Sequence, residues 1–333
     1  MQIGIIANPN AGKDIRRLTA GASVSSTEEK VAVVRRFLAA LCSSCCPDIH
    51  YLDDSGGIVR SALRSLGIQG QELDVQSEGL STDSECAADK LRGVDLVVSL
   101  GGDGTNRAIT KGWRDIPLIA LSTGTNNAWA SMTEATSAGI AAGHIARKHL
   151  DEQAISVKSK VVHVSFDDNR NDSLALVDVV GTHDKFTGAR AIVDPEQYAF
   201  AVVTQADAAK IGMVGVAGAC MQVRADEKRG AALTFNVENE TSRTVRTAIA
   251  PGLVRDVRIV SCEELRFNQC KSFSGPMVVA FDGEREEYLA KDQTVNCVVK
   301  QDGPRLFDVS ATLREASRLG LLTIGRSREV SSA

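Results

Sequence analysis

Apolar positions recur in two rhythms along this chain, and the rhythm changes near residue 150. Before that point short apolar runs alternate with stretches of helical spacing. Gln2-Ile3-Gly4-Ile5-Ile6-Ala7, His50-Tyr51-Leu52, Leu73-Asp74-Val75 and residues 96–100 and 117–121 predict strands. Residues 28–38, 58–66 and 83–91 predict helices between them, another opens near Arg107, and an Ala-rich helix over 134–150 ends the series. Such alternation predicts an α/β domain whose mostly parallel, doubly wound sheet is covered by helices on both faces. From about residue 153 the runs become β-rich and closely spaced, at 161–164, 174–180, 233–237, 257–260, 277–281 and 295–299. One helix is expected over 194–210, and Asp282-Gly283 reads as a turn. The expected organisation is an α/β domain over 1–150 and a β-sandwich-like domain over 151–310. Residues 311–333, with an amphipathic stretch at 312–322, are expected to return to the first domain.

Composition narrows the partners. The chain has 333 residues, 43% of them hydrophobic, enough to fill two cores. A net charge of −4 without a dense basic block argues against nucleic acid or a polybasic membrane contact. The longest uncharged apolar stretch, 211–221, has 11 residues and is too short to span a bilayer. A strand beginning at Gln2 leaves no room for a signal peptide, so a cytoplasmic location is expected. Of eight cysteines, Cys42, Cys45 and Cys46 cluster, but no second pair stands at zinc spacing, and unbridged thiols are expected. The five histidines give no metal spacing. His144 and His149 read as a solvated helix face, and His183, beside Asp184 and Lys185, as a residue lining a cleft. No metal ligand is assigned.

The richest chemistry lies in DLVVSLGGDGTN, residues 95–106. A buried strand breaks into Gly101, Gly102 and Gly104, whose backbone can bend sharply or take positive φ and approach a ligand closely. Loop amides and the following helix N-terminus favour an anion such as phosphate. Asp103 would repel that anion unless it serves a metal, a hydroxyl or a ribose, which points to catalysis or cation-bridged binding. Asn8-Pro9-Asn10-Ala11-Gly12-Lys13 follows the first strand, and Ser122-Thr123-Gly124-Thr125-Asn126-Asn127 ends another, supplying hydroxyls and amides for ribose and phosphate.

GGDGT after a strand resembles the signature shared by NAD kinases and the diacylglycerol/sphingosine kinases; it is neither a Walker A loop nor GxGxxG. The Asn8–Lys13 turn resembles the NPxxGK start of that superfamily. The 122–127 loop resembles its PxGTxN or NTG loop, and Asp282-Gly283-Glu284 resembles its DGE. Over nearly the full length the chain looks like the acetoin-catabolism protein X branch of the ATP-NAD kinase family. IGIIANPNAGKDIRRL, SLGGDGTNRAITKG, LSTGTNNA, ALVDVVGTHDKFTGARAI and IAPGLV carry that likeness.

The resemblance implies a kinase that uses ATP or polyphosphate with Mg²⁺ to phosphorylate a hydroxyl, the 2′-OH of NAD to give NADP, in acetoin catabolism. It implies a homo-oligomer. It assigns nucleotide binding to Asn8, Lys13, Gly101, Gly102, Gly104, Thr105, Asn106, Thr123, Gly124, Thr125, Asn126 and Asn127. Asp103 would orient or deprotonate the acceptor hydroxyl, with Glu284 the alternative base, and Asp178 and Asp282 would contact the acceptor. Two departures stand out. Val177 occupies the place of the Asn in the Asn–acid pair of NAD kinases, and the nearest segment to their TPTGSTAY-like loop, 208–213, lacks its hydroxyls. Two other functions therefore stay open: a lipid or small-diol kinase, and a non-catalytic nucleotide-binding accessory protein of an acetoin dehydrogenase system.

Overall fold

The computed structural model describes residues 1–12, 25–123, 127–168, 170–183, 194–235, 242–283 and 285–323. Five parallel strands form the first sheet: β1 (Gln2–Ala7), β2 (Asp48–Tyr51), β3 (Gln71–Glu72), β4 (Leu96–Gly101) and β5 (Pro117–Ser122), in the order β3-β2-β1-β4-β5. Every residue of β4 is buried, because helices cover both faces and a central parallel strand then has no wet side. On one face Ile3, Ile5, Val98 and Ile119 pack against α1 (Thr27–Ser44), α2 (Ile58–Leu66) and α5 (Ala135–Ala146). On the other, Ile6, Val97 and Leu118 meet α3 (Ser81–Lys90) and α4 (Asp103–Gly112). Two further strands, β6 (Ser156–Lys158) and β19 (Arg305–Phe307), extend the sheet beyond β5. Between them in the chain lies the second domain.

That domain is antiparallel. One sheet has the order β15-β18-β7-β8, from β7 (Val161–Phe166), β8 (Ser173–Ala175), β15 (Cys270–Ser274) and β18 (Thr294–Lys300). The other has the order β14-β11-β10-β9-β16-β17, from β9 (Asp178–Thr182), β10 (Tyr198–Val203), β11 (Arg229–Thr234), β14 (Ser261–Arg266), β16 (Met277–Phe281) and β17 (Arg285–Leu289). Val162, Val164, Phe200, Val279, Phe281 and Val295 interdigitate between the two sheets, making a sandwich. The outer face of the six-stranded sheet is covered by the short helix Met213–Gly218 and the hairpin of Arg243–Ala250 with Leu253–Ile259. After β19 the helix Val309–Arg318 packs on α5, so the chain ends its described course against the first domain. The α/β class and the sandwich are those expected from the sequence.

Several elements differ from their sequence expectation. Residues 194–210 form no helix; Pro195–Gln197 is a 3₁₀ turn, and Tyr198–Val203 is a strand. Its Tyr, Phe and Val side chains are held between neighbouring strands, which overrides the helical preference of the alanines. The run 174–180 splits into two strands, because the amides of Leu176, Val177 and Asp178 turn to the Asp282 carboxylate. The third strand is Gln71–Glu72 rather than 73–75; Leu73 still bonds to Tyr51, and the chain then turns at Val75. The Ala-rich helix stops at Ala146, ahead of Lys148 in the left-handed region at φ 53°. His144 is buried, its Nδ1 lying 3.1 Å from His149 Nε2, so of the two only His149 is exposed. All eight cysteines are free thiols. Among the described residues no helix is long and apolar enough to cross a membrane.

Helices α3 and α4 touch through Gly112, where a Cβ would lie 2.0 Å from the Glu85 carbonyl oxygen. A backbone oxygen cannot swing aside, so the helices must part. Gly112→Ala is expected to lower stability by about 1–3 kcal/mol, read as a lower urea midpoint with an unchanged m-value.

Candidate functional site

The strand order reverses between β1 and β4, and the loops at their carboxyl ends border the crevice that such a switch point creates. There the Asn8 side-chain amide donates to Thr105 Oγ1 at 2.8 Å, and the Asn8 N–H donates to the Leu100 carbonyl at 2.9 Å. From the end of β5, Asn127 Nδ2 donates to Ser122 Oγ at 2.6 Å, and Asn127 Oδ1 accepts from the Asp103 N–H at 3.4 Å. The structure thus brings Asn8, Gly101, Gly102, Thr105, Thr123 and Asn127 to one rim. Thr123 Oγ1 is buried and has no hydrogen-bond partner among the described residues. Such an orphaned hydroxyl costs free energy unless a ligand satisfies it.

Gly101, Gly102 and Gly104 all avoid positive φ. Space is what Gly101 supplies: a Cβ there would lie 2.6 Å from Thr105 Oγ1, inside the side chain that Asn8 holds. Asn106 serves this loop from behind. It is fully buried, takes a hydrogen bond from Ser99 Oγ at 2.6 Å and donates to the Gly102 carbonyl at 3.0 Å. Lys13, Gly124, Thr125, Asn126 and Glu284 lie outside the described residues, as do Asp184 and Lys185. His183 is exposed at the end of β9 and does not line the cleft.

The cleft runs between the two domains and encloses about 730 Å³, counting the solvent at its mouth. Asp103 and Ala128 face it from the first domain, Val177, Asp178, Tyr198, Met213, Ile249 and Asp282 from the second. Two buried aspartates border it, each bonded to three amides of its own domain. Asp103 Oδ2 accepts from the Ala128 N–H at 2.7 Å, and Oδ1 accepts from Trp129 at 3.2 Å and Ala130 at 3.1 Å. Asp282 Oδ2 accepts from the Leu176 N–H at 3.0 Å, and Oδ1 accepts from Val177 at 2.8 Å and Asp178 at 3.1 Å. Burial pushes the Asp103 carboxyl up to about 6, against the three amides that favour its ionised form, and the Asp282 charge adds to the rise. Burial raises Asp282 too, while the Arg107 guanidinium and the three amides oppose it.

Two buried cations beside the site, Arg107 and Lys30, escaped the sequence reasoning. Arg107, on α4, donates to the Leu174 carbonyl at 2.6 Å and Ser173 Oγ at 3.0 Å. It lies 3.9 Å from Asp282 Oδ2 and 5.2 Å from the centroid of Phe281. It therefore ties the first domain to both sheets of the second. Lys30, on α1, is 0% exposed and donates to the Pro9 and Ala11 carbonyls, each at 2.7 Å. It pins the loop after β1 from beneath. One signal was legible: Lys30 stands four residues before Val34, with Leu38 and Leu41 completing the same buried stripe, where a charge needs a partner. Lys30→Met is expected to leave those carbonyls unpaired at about 1–3 kcal/mol each. The loop amides of Asn10 to Gly12 should then exchange with deuterium faster, while those of β4 stay protected.

Comparison with known proteins places this geometry. Residues 3–150 match the ATP-NAD kinase N-terminal domain, and residues 160–302 match the acetoin catabolism protein X C-terminal domain. The acetoin catabolism protein X of Cupriavidus necator is 34% identical over 340 residues, covering 96% of this chain and 93% of that protein. Among solved structures, yeast NADH kinase complexed with NADH superposes with a TM-score of 0.52 at 11% identity, covering 98% of this chain and 89% of the other. A putative diacylglycerol kinase from Bacillus anthracis gives a TM-score of 0.47 at 13% identity, covering 92% and 97%. The kinase-like fold, the paired domain matches and the full-length identity agree: the chain belongs to the acetoin catabolism protein X family.

Proposed function

We propose that this protein transfers a phosphoryl group from ATP or polyphosphate to a hydroxyl held in the cleft, with Asp103 receiving that hydroxyl. The observation that carries the reading is Asp103 itself. It is a carboxylate lifted to about 6, fixed by three amides, and presented to a cleft beside the β1 and β4 loops. A base poised near neutrality, whose position does not relax, suits acceptance of a proton as the hydroxyl attacks phosphorus. The donor phosphates would lie along Asn8 and Gly101 to Thr105, with the unpartnered Thr123 hydroxyl available to them. Among the described residues no group of three or more His, Cys, Asp or Glu side chains is spaced to hold a metal ion. Asp103 and Asp282 each already accept from three amides, which makes them poor ligands for Mg²⁺.

NAD is the acceptor that the family resemblance implies, and the name of the C. necator relative supports a part in acetoin catabolism. The same three amides on Asp103 also favour a second reading, in which the carboxylate only builds the loop and the protein binds nucleotide without turnover. Incubation with Mg²⁺, ATP or polyphosphate, and a panel of hydroxyl compounds that includes NAD separates them. Phosphorylated product supports transfer and names the acceptor. Saturable ATP binding without any product would sink the kinase reading and leave the accessory one.

A further inference from the structure

We propose that Lys30 is a positioning residue for the donor phosphates, its buried ammonium turning the Gly12 N–H outward to meet a phosphate oxygen. The inference rests on the reading that those phosphates lie along the loops after β1 and β4. Backbone accounting of the turn after β1 carries it. The Asn8 N–H goes to the Leu100 carbonyl at 2.9 Å, and the Asn10 N–H to Asn8 Oδ1 at 2.8 Å. The Ala11 N–H goes to the Asn8 carbonyl at 3.3 Å, and Pro9 has no N–H. Gly12 is half-buried, and its N–H has no acceptor among the described residues.

The carbonyls of the same turn explain where that N–H points. Lys30 Nζ lies beneath, fully buried, and donates to the Pro9 and Ala11 carbonyls at 2.7 Å each. In a trans peptide the C=O and the following N–H are antiparallel. With the Ala11 carbonyl drawn in to Nζ, the Gly12 N–H faces away from the core. The ammonium also polarises that peptide and strengthens its N–H as a donor. Gly12 has φ 70°, and without a side chain it leaves the amide open to an approaching oxygen. The turn is tied to its neighbours as well: Asn8 Nδ2 donates to Thr105 Oγ1 at 2.8 Å, and Asn10 Nδ2 to the Gly79 carbonyl at 3.1 Å. A phosphate oxygen therefore meets an N–H already in place. The matching ligand chemistry is the anionic oxygen of a polyphosphate chain, common to ATP and to inorganic polyphosphate.

Amide NMR of the intact, isotope-labelled protein reads Gly12 directly, with Mg²⁺ and ATP, tripolyphosphate or adenosine. In the wild type ATP and tripolyphosphate should each move the Gly12 amide proton downfield, the tighter of the two naming the donor, and adenosine should leave it in place. Lys30→Met keeps the apolar stem. It should weaken ATP and tripolyphosphate by the same factor, about tenfold or more, and abolish the Gly12 shift. A lysine that only fills the core would lower the urea midpoint and leave both affinities unchanged, which overturns the proposal. A silent Gly12 amide in the wild type with ATP saturably bound overturns it too, whether or not Lys30→Met folds, and leaves the nucleotide reading standing. Failure of both phosphate compounds to bind removes the two together. The Gly12 shift without any phosphorylated product upholds this inference and counts against the kinase reading.

Discussion

Asp103→Asn is expected to abolish phosphoryl transfer, by about 10²–10⁴-fold in kcat, while the protein still folds. The amide oxygen can take over the bonds from Trp129 and Ala130, but the NH₂ then faces the Ala128 N–H, donor against donor. That mismatch should cost about 1–3 kcal/mol of stability, measurable by urea denaturation beside the kinetic assay. The pH profile adds a check. If Asp103 is the base, wild-type kcat/KM should rise tenfold per pH unit below about 6 and level off above it, as the carboxyl ionises. Stability moves the opposite way. The folded protein holds this proton more tightly than the unfolded chain, whose carboxyl titrates near 3.8, so the stabilisation is complete below that value. It is lost as pH rises through about 6. The Asn variant should lack both effects. Near-normal turnover in Asp103→Asn would remove the carboxylate from the chemistry and leave it the loop-building role.

Asp282→Ala should have the larger effect on stability, about 3–5 kcal/mol. It strips acceptors from the amides of Leu176, Val177 and Asp178 and removes the carboxylate that stands 3.9 Å from the buried Arg107. Because Arg107 also bonds to Leu174 and Ser173, the damage should concentrate where α4 meets the second domain. Hydrogen exchange should quicken at 174–178 well before β1 or β4 loses protection. A loss below 1 kcal/mol would mean that solvent reaches this carboxylate, contrary to its burial. Asp282 sits in the turn between β16 and β17 at φ 49°, followed by Gly283 at 71°, a paired left-handed conformation that tight hairpins favour. The same turn that closes the hairpin thus sets a buried carboxylate against the amides of Leu176, Val177 and Asp178.

Much of the fold was legible from residues alone, for local reasons. Ile58–Leu66 and Met277–Phe281 form over the expected residues, because helical spacing in one and an unbroken apolar run in the other leave little alternative. The loops after β1, β4 and β5 were legible because Gly, Asn, Thr and Asp cluster at the ends of apolar strands. Reasoning failed where a distant partner decides the local state. Tyr198–Val203 is a strand because other strands flank it, and 174–180 breaks because Asp282, more than a hundred residues later, claims three of its amides.

The sequence by itself determined the α/β class, the sandwich and the glycine loops at strand ends, since hydrophobic period and turn chemistry act over a few neighbours. Only the tertiary structure decided that Asp103 and Asp282 face one cleft, each holding three amides, and that Arg107 and Lys30 are buried against carbonyls. A buried charge is tolerable only with partners at hydrogen-bond range. Those partners come from chain segments far apart, and for Arg107 from the other domain, so no local rule of the sequence could supply them.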